Sequence, residues 1–178
     1  MRHEIRFAGF GGQGIILAGL ITGRAAALHD GKEAIVTQSY GPEARGGACA
    51  AQLVIDDVPI DYPMVNRPDV LVVMSQEAAE KYMTGLVDEG QVLIDEDLVE
   101  LPEHPMWHTF KIPATAIAEQ LGNRMAANVV MLGFFTAVTG TVGRQSMEAA
   151  IKASVKERFI QLNMKAFEAG YSYPRQEG

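Results

Sequence analysis

Apolar and polar positions along the chain fall into strand, turn and helix patterns from the first residues. Ile5-Arg6-Phe7-Ala8 is a short β-prone run that feeds the glycine turn Gly9-Phe10-Gly11-Gly12-Gln13-Gly14. From Ile15 to His29 the positions Ile15, Ile16, Gly19, Leu20, Gly23 and Ala27 keep helical spacing. Gly19 and Gly23 lower helix propensity, so their place on that face predicts close backbone packing. Asp30-Gly31-Lys32 ends the helix with Gly31 as a left-handed cap, and Ala34 to Gln38 is the next strand.

A polar loop, Ser39 to Gly47, leads into a third strand, Ala48 to Ile55, closed by Asp56-Asp57. No helix separates these two strands, so the third is expected to run antiparallel at a sheet edge. Pro59 to Pro68 reads as an irregular connection. Val70 to Met74 is continuously apolar, as a strand covered on both faces should be. Ser75 caps a helix from Gln76 to about Val87, and strands follow at Gln91–Asp95 and Trp107–Ile112. After Pro113 the pattern is helical: Ala114–Leu121, Ala126–Thr139, and Ser146 to about Ala169 with a break near Lys156. The expected architecture is α/β: a single three-layer α/β/α domain over residues 1–178, a mainly parallel sheet with an antiparallel edge strand, and a helical last third.

Composition narrows the function. At 178 residues, 48% hydrophobic and 21% charged, the chain can build one core. Lys and Arg number 15 against 22 Asp and Glu, a formal net charge of -7. That balance repels nucleic-acid backbones and anionic membrane surfaces. The first residues, Met1 to Arg6, lack a signal-peptide pattern. The uncharged stretch Met125–Gly143 holds Asn128, three Thr and three Gly, short of a spanning helix. The expected setting is cytoplasmic.

The one cysteine, Cys49, cannot by itself form an intrachain disulfide or ligate an iron–sulfur cluster. It follows a glycine pair at a strand start and reads as a buried, inert thiol. His104 and His108 flank Pro105 and Trp107, which excludes a helical metal pair and leaves solvated or core roles. Asp95-Glu96-Asp97 reads as a solvated turn without calcium-loop spacing. The nearly apolar Met125–Thr139 helix is either central or half-buried against another subunit.

Two glycine-rich loops carry the candidate chemistry. Gly9-Phe10-Gly11-Gly12-Gln13-Gly14 matches G-x-G-x-x-G between a strand and a helix, where glycines admit a ligand and helix N–H groups face an anion. The acidic ribose partner expected after the second strand is missing at Thr37-Gln38-Ser39, which argues against NAD. A tight packing turn and an anion or partner loop both remain open. In the second loop, Tyr40-Gly41-Pro42-Glu43-Ala44-Arg45-Gly46-Gly47, Arg45 is suited to clamp a carboxylate or phosphate and Glu43 to position it. A simple Glu43–Arg45 surface pair is the plain alternative.

Taken together, Phe7 through Gly19 and Gln38 through Gly47 resemble the gamma subunit of the 2-oxoacid:ferredoxin oxidoreductases. The likeness continues through Ile60-Asp61-Tyr62-Pro63, Pro68 to Val72, Asn128 and Asn163 to Gly170, essentially the whole chain. Such complexes decarboxylate a 2-oxoacid oxidatively, join the acyl group to coenzyme A and pass two electrons to ferredoxin. The resemblance implies alpha, beta and delta partner subunits and ferredoxin as acceptor. Thiamine diphosphate, magnesium and iron–sulfur clusters are implied on those other subunits, with no catalytic residue here. The implied contribution of this chain is cofactor-side contact near the coenzyme A route by Gly9, Gly11, Gly12, Gln13, Gly14, Tyr40, Gly41, Pro42, Glu43, Arg45, Gly46 and Gly47. Pyruvate-type subunits tend towards Phe-Gly-Pro-Glu-Arg-Arg-Gly. Tyr40, Ala44 and Gly46-Gly47 resemble the 2-oxoglutarate type more, and the branched-chain (ketoisovalerate) type somewhat. Indolepyruvate-type relatives share Gly-Gly-Gln-Gly but replace the Gly-Pro-Glu segment. Two other readings stand beside this one: a stand-alone nucleotide or phosphate-ligand module, and a purely structural assembly subunit. The isolated chain is expected to be inactive and to self-associate through surfaces meant for partners.

Overall fold

The computed structural model describes residues 1–40 and 47–178. Six strands form one sheet: β1 (His3–Phe10), β2 (Glu33–Tyr40), β3 (Ala48–Asp56), β4 (Val70–Val73), β5 (Gln91–Asp95) and β6 (His108–Ile112). Their order is β2-β3-β1-β4-β5-β6. β1, β4, β5 and β6 are parallel, whereas β3 is antiparallel to both β1 and β2. The antiparallel strand expected from sequence is therefore present, one place in from the edge, with β2 outermost. Direct linkage of β2 to β3 puts the pair side by side, and β3 then closes on β1 over eight aligned residues, His3↔Ile55 to Phe10↔Ala48.

Helices cover both faces. On one face α1 (Ile15–Arg24), α3 (Ala114–Gln120), α4 (Ala127–Thr139), α5 (Arg144–Ser154) and α6 (Ile160–Tyr171) pack over Ile5, Phe7, Leu53, Ile55, Val72 and Leu93. On the other, α2 (Gln76–Tyr82) sets Ala78, Ala79 and Tyr82 on Ala8, Ala50, Leu71, Val73 and Ile94. β4 is buried at every position, which explains its unbroken apolar run.

Glycines fix two close approaches. A Cβ on Gly19 would lie 2.5 Å from that of Ala51, and one on Gly23 would lie 2.8 Å from Val36 Cγ2. α1 therefore sits hard against β2 and β3, as the helical glycines predicted. A second, unpredicted approach joins α4 and α6. A Cβ on Gly170 would be 1.8 Å from Val130 O, and one on Gly133 2.1 Å from Phe167 O. Ala127 to Thr136 is consequently buried throughout, so α4 is central and takes the first of the two roles read from its sequence.

Other boundaries differ from the sequence pattern for local reasons. The last turn of the first helix, Ala25–His29, is a π turn, and Gly31 takes the left-handed conformation expected of it. The break near Lys156 is real: α5 ends at Ser154, and a 3-10 turn, Glu157–Phe159, precedes α6. α2, expected to reach about Val87, stops at Tyr82. The buried Arg6 guanidinium donates to Tyr82 O at 2.8 Å and Thr84 O at 2.9 Å, taking the carbonyls a longer helix would use. Gly85, with φ +83°, completes the turn. No helix is long and apolar enough to cross a membrane among the described residues.

Candidate functional site

Because β1, β4, β5 and β6 run the same way, the loops that follow them emerge at one end of the sheet. β2 ends and antiparallel β3 begins at that same end. This carboxyl edge gathers Gly9–Gly14, Tyr40, Gly47 and Met74-Ser75, the place where open α/β sheets bind ligands. The described end of the second glycine segment, Gly47, meets the first. Gly9 pairs with Cys49 and Phe10 with Ala48, and the Gly11 N–H donates to Gly47 O at 3.1 Å. Gly41, Pro42, Glu43, Arg45 and Gly46 of the second segment lie outside the described residues. Tyr40 is exposed, its hydroxyl donating to Gln38 Oε1 at 2.7 Å.

Gln13 holds the turn together. Its Oε1 accepts the Phe10 N–H at 2.7 Å, and its Nε2 donates to Met74 O at 2.9 Å, tying the end of β1 to the end of β4. Gly9 has no room for a side chain, since a Cβ would meet Gln13 Oε1 and Ile15 Cδ1 at 2.6 Å. Gly14 is left-handed at φ +73°, and Asn128 Nδ2 donates to its carbonyl at 3.2 Å. Gly11 and Gly12 differ: both are exposed, and nothing lies within 4 Å of a Cβ on Gly12. The first turn of α1 carries no acidic side chain, and its start has no side-chain cap. The free N–H groups at the start of α1 are thus without a side-chain cap, and the helix dipole gives that end positive potential.

Beside the turn lies a mainly apolar groove of about 330 Å³, lined among others by Gly14, Leu17, Met125, Asn128, Phe159 and Asn163. Leu17 is 37% exposed, Met125 68% and Phe159 36%, so large apolar side chains rim it. The sequence pattern did not announce the groove, because α1, α4 and α6 contribute to it from distant positions. The only local signal was polar Asn128 and Asn163 inside otherwise apolar helical faces.

The remaining candidates take structural places. Cys49 is buried and free, and burial pushes its thiol pKa up, so it is a poor thiolate ligand or nucleophile. Asp95 corrects the solvated-turn reading. It is fully buried, its Oδ2 accepting from the Thr115 N–H at 2.9 Å and hydroxyl at 2.6 Å, which caps the first turn of α3 from the end of the neighbouring strand β5. Glu96 and Asp97 are the exposed part of that run. His104 stacks on Trp107 with ring centroids 3.8 Å apart, and His108 bridges Glu89 and Glu177. Among the described residues no three His, Cys, Asp or Glu side chains converge as metal ligands.

Residues 4–173 match the family Pyruvate ferredoxin/flavodoxin oxidoreductase. The chain belongs to that family. Within it, the chain is 52% identical to the 2-oxoglutarate synthase subunit KorC of Methanocaldococcus jannaschii, covering 99% of this chain and 96% of that protein. It is 35% identical to the pyruvate synthase subunit PorC of Methanothermobacter marburgensis, covering 98% and 99%. Its fold matches the gamma subunit of the keto/oxoacid ferredoxin oxidoreductase from Geobacter sulfurreducens with a TM-score of 0.87. That match has 42% identity and covers 96% and 95% of the two chains. The resemblance carried by the two glycine segments is thus borne out over the whole fold, antiparallel strand pair included.

Proposed function

We propose that this chain is the gamma subunit of a 2-oxoglutarate:ferredoxin oxidoreductase, acting as one unit over residues 1–178 in the cytoplasm. The complex decarboxylates the 2-oxoacid, forms the acyl thioester of coenzyme A and reduces ferredoxin with the two electrons released. The observation that carries the substrate reading is the identity of 52% with a 2-oxoglutarate synthase subunit against 35% with a pyruvate synthase subunit, each over nearly the whole chain.

Thiamine diphosphate, magnesium and the iron–sulfur clusters belong in this proposal to the alpha, beta and delta subunits. A lone cysteine whose burial disfavours the thiolate does not suit a cluster. What this chain offers is its carboxyl edge. Exposed, side-chain-free Gly11 and Gly12 at the uncapped start of α1 fit an anionic group such as the pyrophosphate of coenzyme A. Gly9, Gln13 and Gly14 hold that surface in shape. Tyr40 and Gly47 flank that surface. The sequence segment between them, Gly41, Pro42, Glu43, Arg45 and Gly46, supplies in this proposal the remaining contacts, with Arg45 suited by its guanidinium to clamp a phosphate.

A second reading, assembly alone, is favoured by one observation: the Gln13 side chain is hydrogen-bonded inside the protein at both its amide oxygen and its amide nitrogen. A stand-alone nucleotide module has less support, because β2 ends in Gln38-Ser39-Tyr40 without a carboxylate.

The test is reconstitution of the four-subunit complex and coenzyme A-dependent reduction of ferredoxin with 2-oxoglutarate and with pyruvate. The expected outcome is a kcat/KM for 2-oxoglutarate at least about tenfold higher. Equal or reversed preference would overturn the substrate assignment. Arg45→Ala is expected to raise KM for coenzyme A in that complex; an unchanged KM supports the assembly reading instead.

A further inference from the structure

β6 is the outermost strand on the side of the sheet away from β2, and Glu177 and Gly178, at the end of the segment 173–178, lie on its outer edge. Glu177 forms an antiparallel bridge with Phe110, and the Gly178 N–H donates to Thr109 O at 2.9 Å. Upstream, Tyr173 sets its ring edge-on to Phe134, with centroids 6.0 Å apart. Arg175 Nη1 donates to Ala137 O at 2.8 Å, near the end of α4. His108, at the start of β6, adds a further mooring. Its Nδ1 faces Glu177 Oε1, and its Nε2 faces Glu89 Oε2 at 2.9 Å.

That geometry has a protonation requirement. A neutral imidazole carries one N–H and one lone pair, so it donates to one carboxylate and turns the lone pair on the other. Only the imidazolium satisfies both. The charged groups facing the ring are Glu89, from the turn before β5, and Glu177, from the segment itself. On β5 the aligned residue is the uncharged Gln91, and on β6 Lys111 projects to the opposite face by strand alternation.

We propose that residues 173–178 form a pH-dependent strap over the β6 edge, held when the His108 ring is protonated on both nitrogens and loosened when it is not. The two carboxylates, Glu177 foremost, raise the His108 pKa above the ordinary imidazole value. The strap's hold is therefore complete below that ordinary value and is lost as pH climbs through the raised one. The side chains of His108, Glu89 and Glu177 are 40%, 67% and 54% exposed, so the strap opens only roughly two- to five-fold more when the charge is lost. Loosening uncovers the outer edge of β6, a surface able to pair with another strand.

Amide hydrogen exchange of the full chain, followed by NMR and divided by the intrinsic rate at each pH, tests the strap. Protection of the Gly178 N–H is expected to fall roughly two- to five-fold between about pH 5.5 and pH 8.5, values that bracket the imidazole titration. His108→Gln is expected to show the weaker protection at both pH values, and Glu177→Gln to lower the NMR-observed pKa of His108. Equal wild-type protection at the two pH values, or a pH dependence surviving in His108→Gln, would overturn the proposal. Both variants lie at the surface, so an unchanged unfolding midpoint is the control for folding.

Discussion

Replacing Gly14 by alanine perturbs the candidate edge at its tightest point. Gly14 has φ +73°, and a Cβ there would sit 2.3 Å from Asn128 Nδ2 and 2.9 Å from its Cγ. Holding alanine in the left-handed region costs about 1–2 kcal/mol. Asn128, which is 5% exposed, must also move, breaking its 3.2 Å bond to Gly14 O at a further cost of about 1 kcal/mol. The expected loss for Gly14→Ala is thus about 2–3 kcal/mol. In an Asn128→Ala background the steric part disappears, and the same change should cost only about 1–2 kcal/mol. Urea denaturation followed by circular dichroism, repeated at several protein concentrations to detect self-association, gives the four stabilities of the cycle. A Gly14→Ala cost that is the same in both backgrounds would refute the argument that Asn128 closes over this turn.

Two further outcomes follow from packing and burial. Gly170→Ala is expected to destabilise by about 3 kcal/mol or more, because its Cβ would lie 1.8 Å from Val130 O and must push α6 off α4. A thermal midpoint within a degree or so of wild type would contradict that crossing. Cys49 is expected to react with alkylating reagents about tenfold or more slowly than a free cysteine at neutral pH, since its raised pKa leaves little thiolate. Denaturant should restore the rate, and fast native labelling would contradict the burial.

Where residues act on near neighbours, the sequence was a good guide. The β1–turn–α1 opening, the wholly buried β4 and the break at Lys156 follow from local periodicity and from glycine. Gly19 and Gly23 announced close packing because glycine inside a helix has little local reason to be there. What escaped depends on partners far along the chain. The Arg6 guanidinium truncates α2 from 76 residues away. Asp95 looked like part of an acidic turn until its carboxylate was seen capping α3 through Thr115. Gly133 and Gly170 carry the same signal as Gly19 and Gly23, but only their crossing shows that they face each other. At the candidate site, sequence made the antiparallel course of β3 legible, and the meeting of Gly11 with Gly47 at one sheet edge follows from the pairing of β3 with β1 and β2. The apolar groove beside it does not, since three helices build it together.

Differential hydrogen–deuterium exchange between the isolated chain and the assembled oxidoreductase tests most directly whether the carboxyl edge faces its partners. Strong new protection is expected at residues 9–14, at Gly47 and in the first turn of α1 upon assembly. Protection confined to the β6 side or to α2, with the glycine turn exchanging as freely as before, would contradict the account.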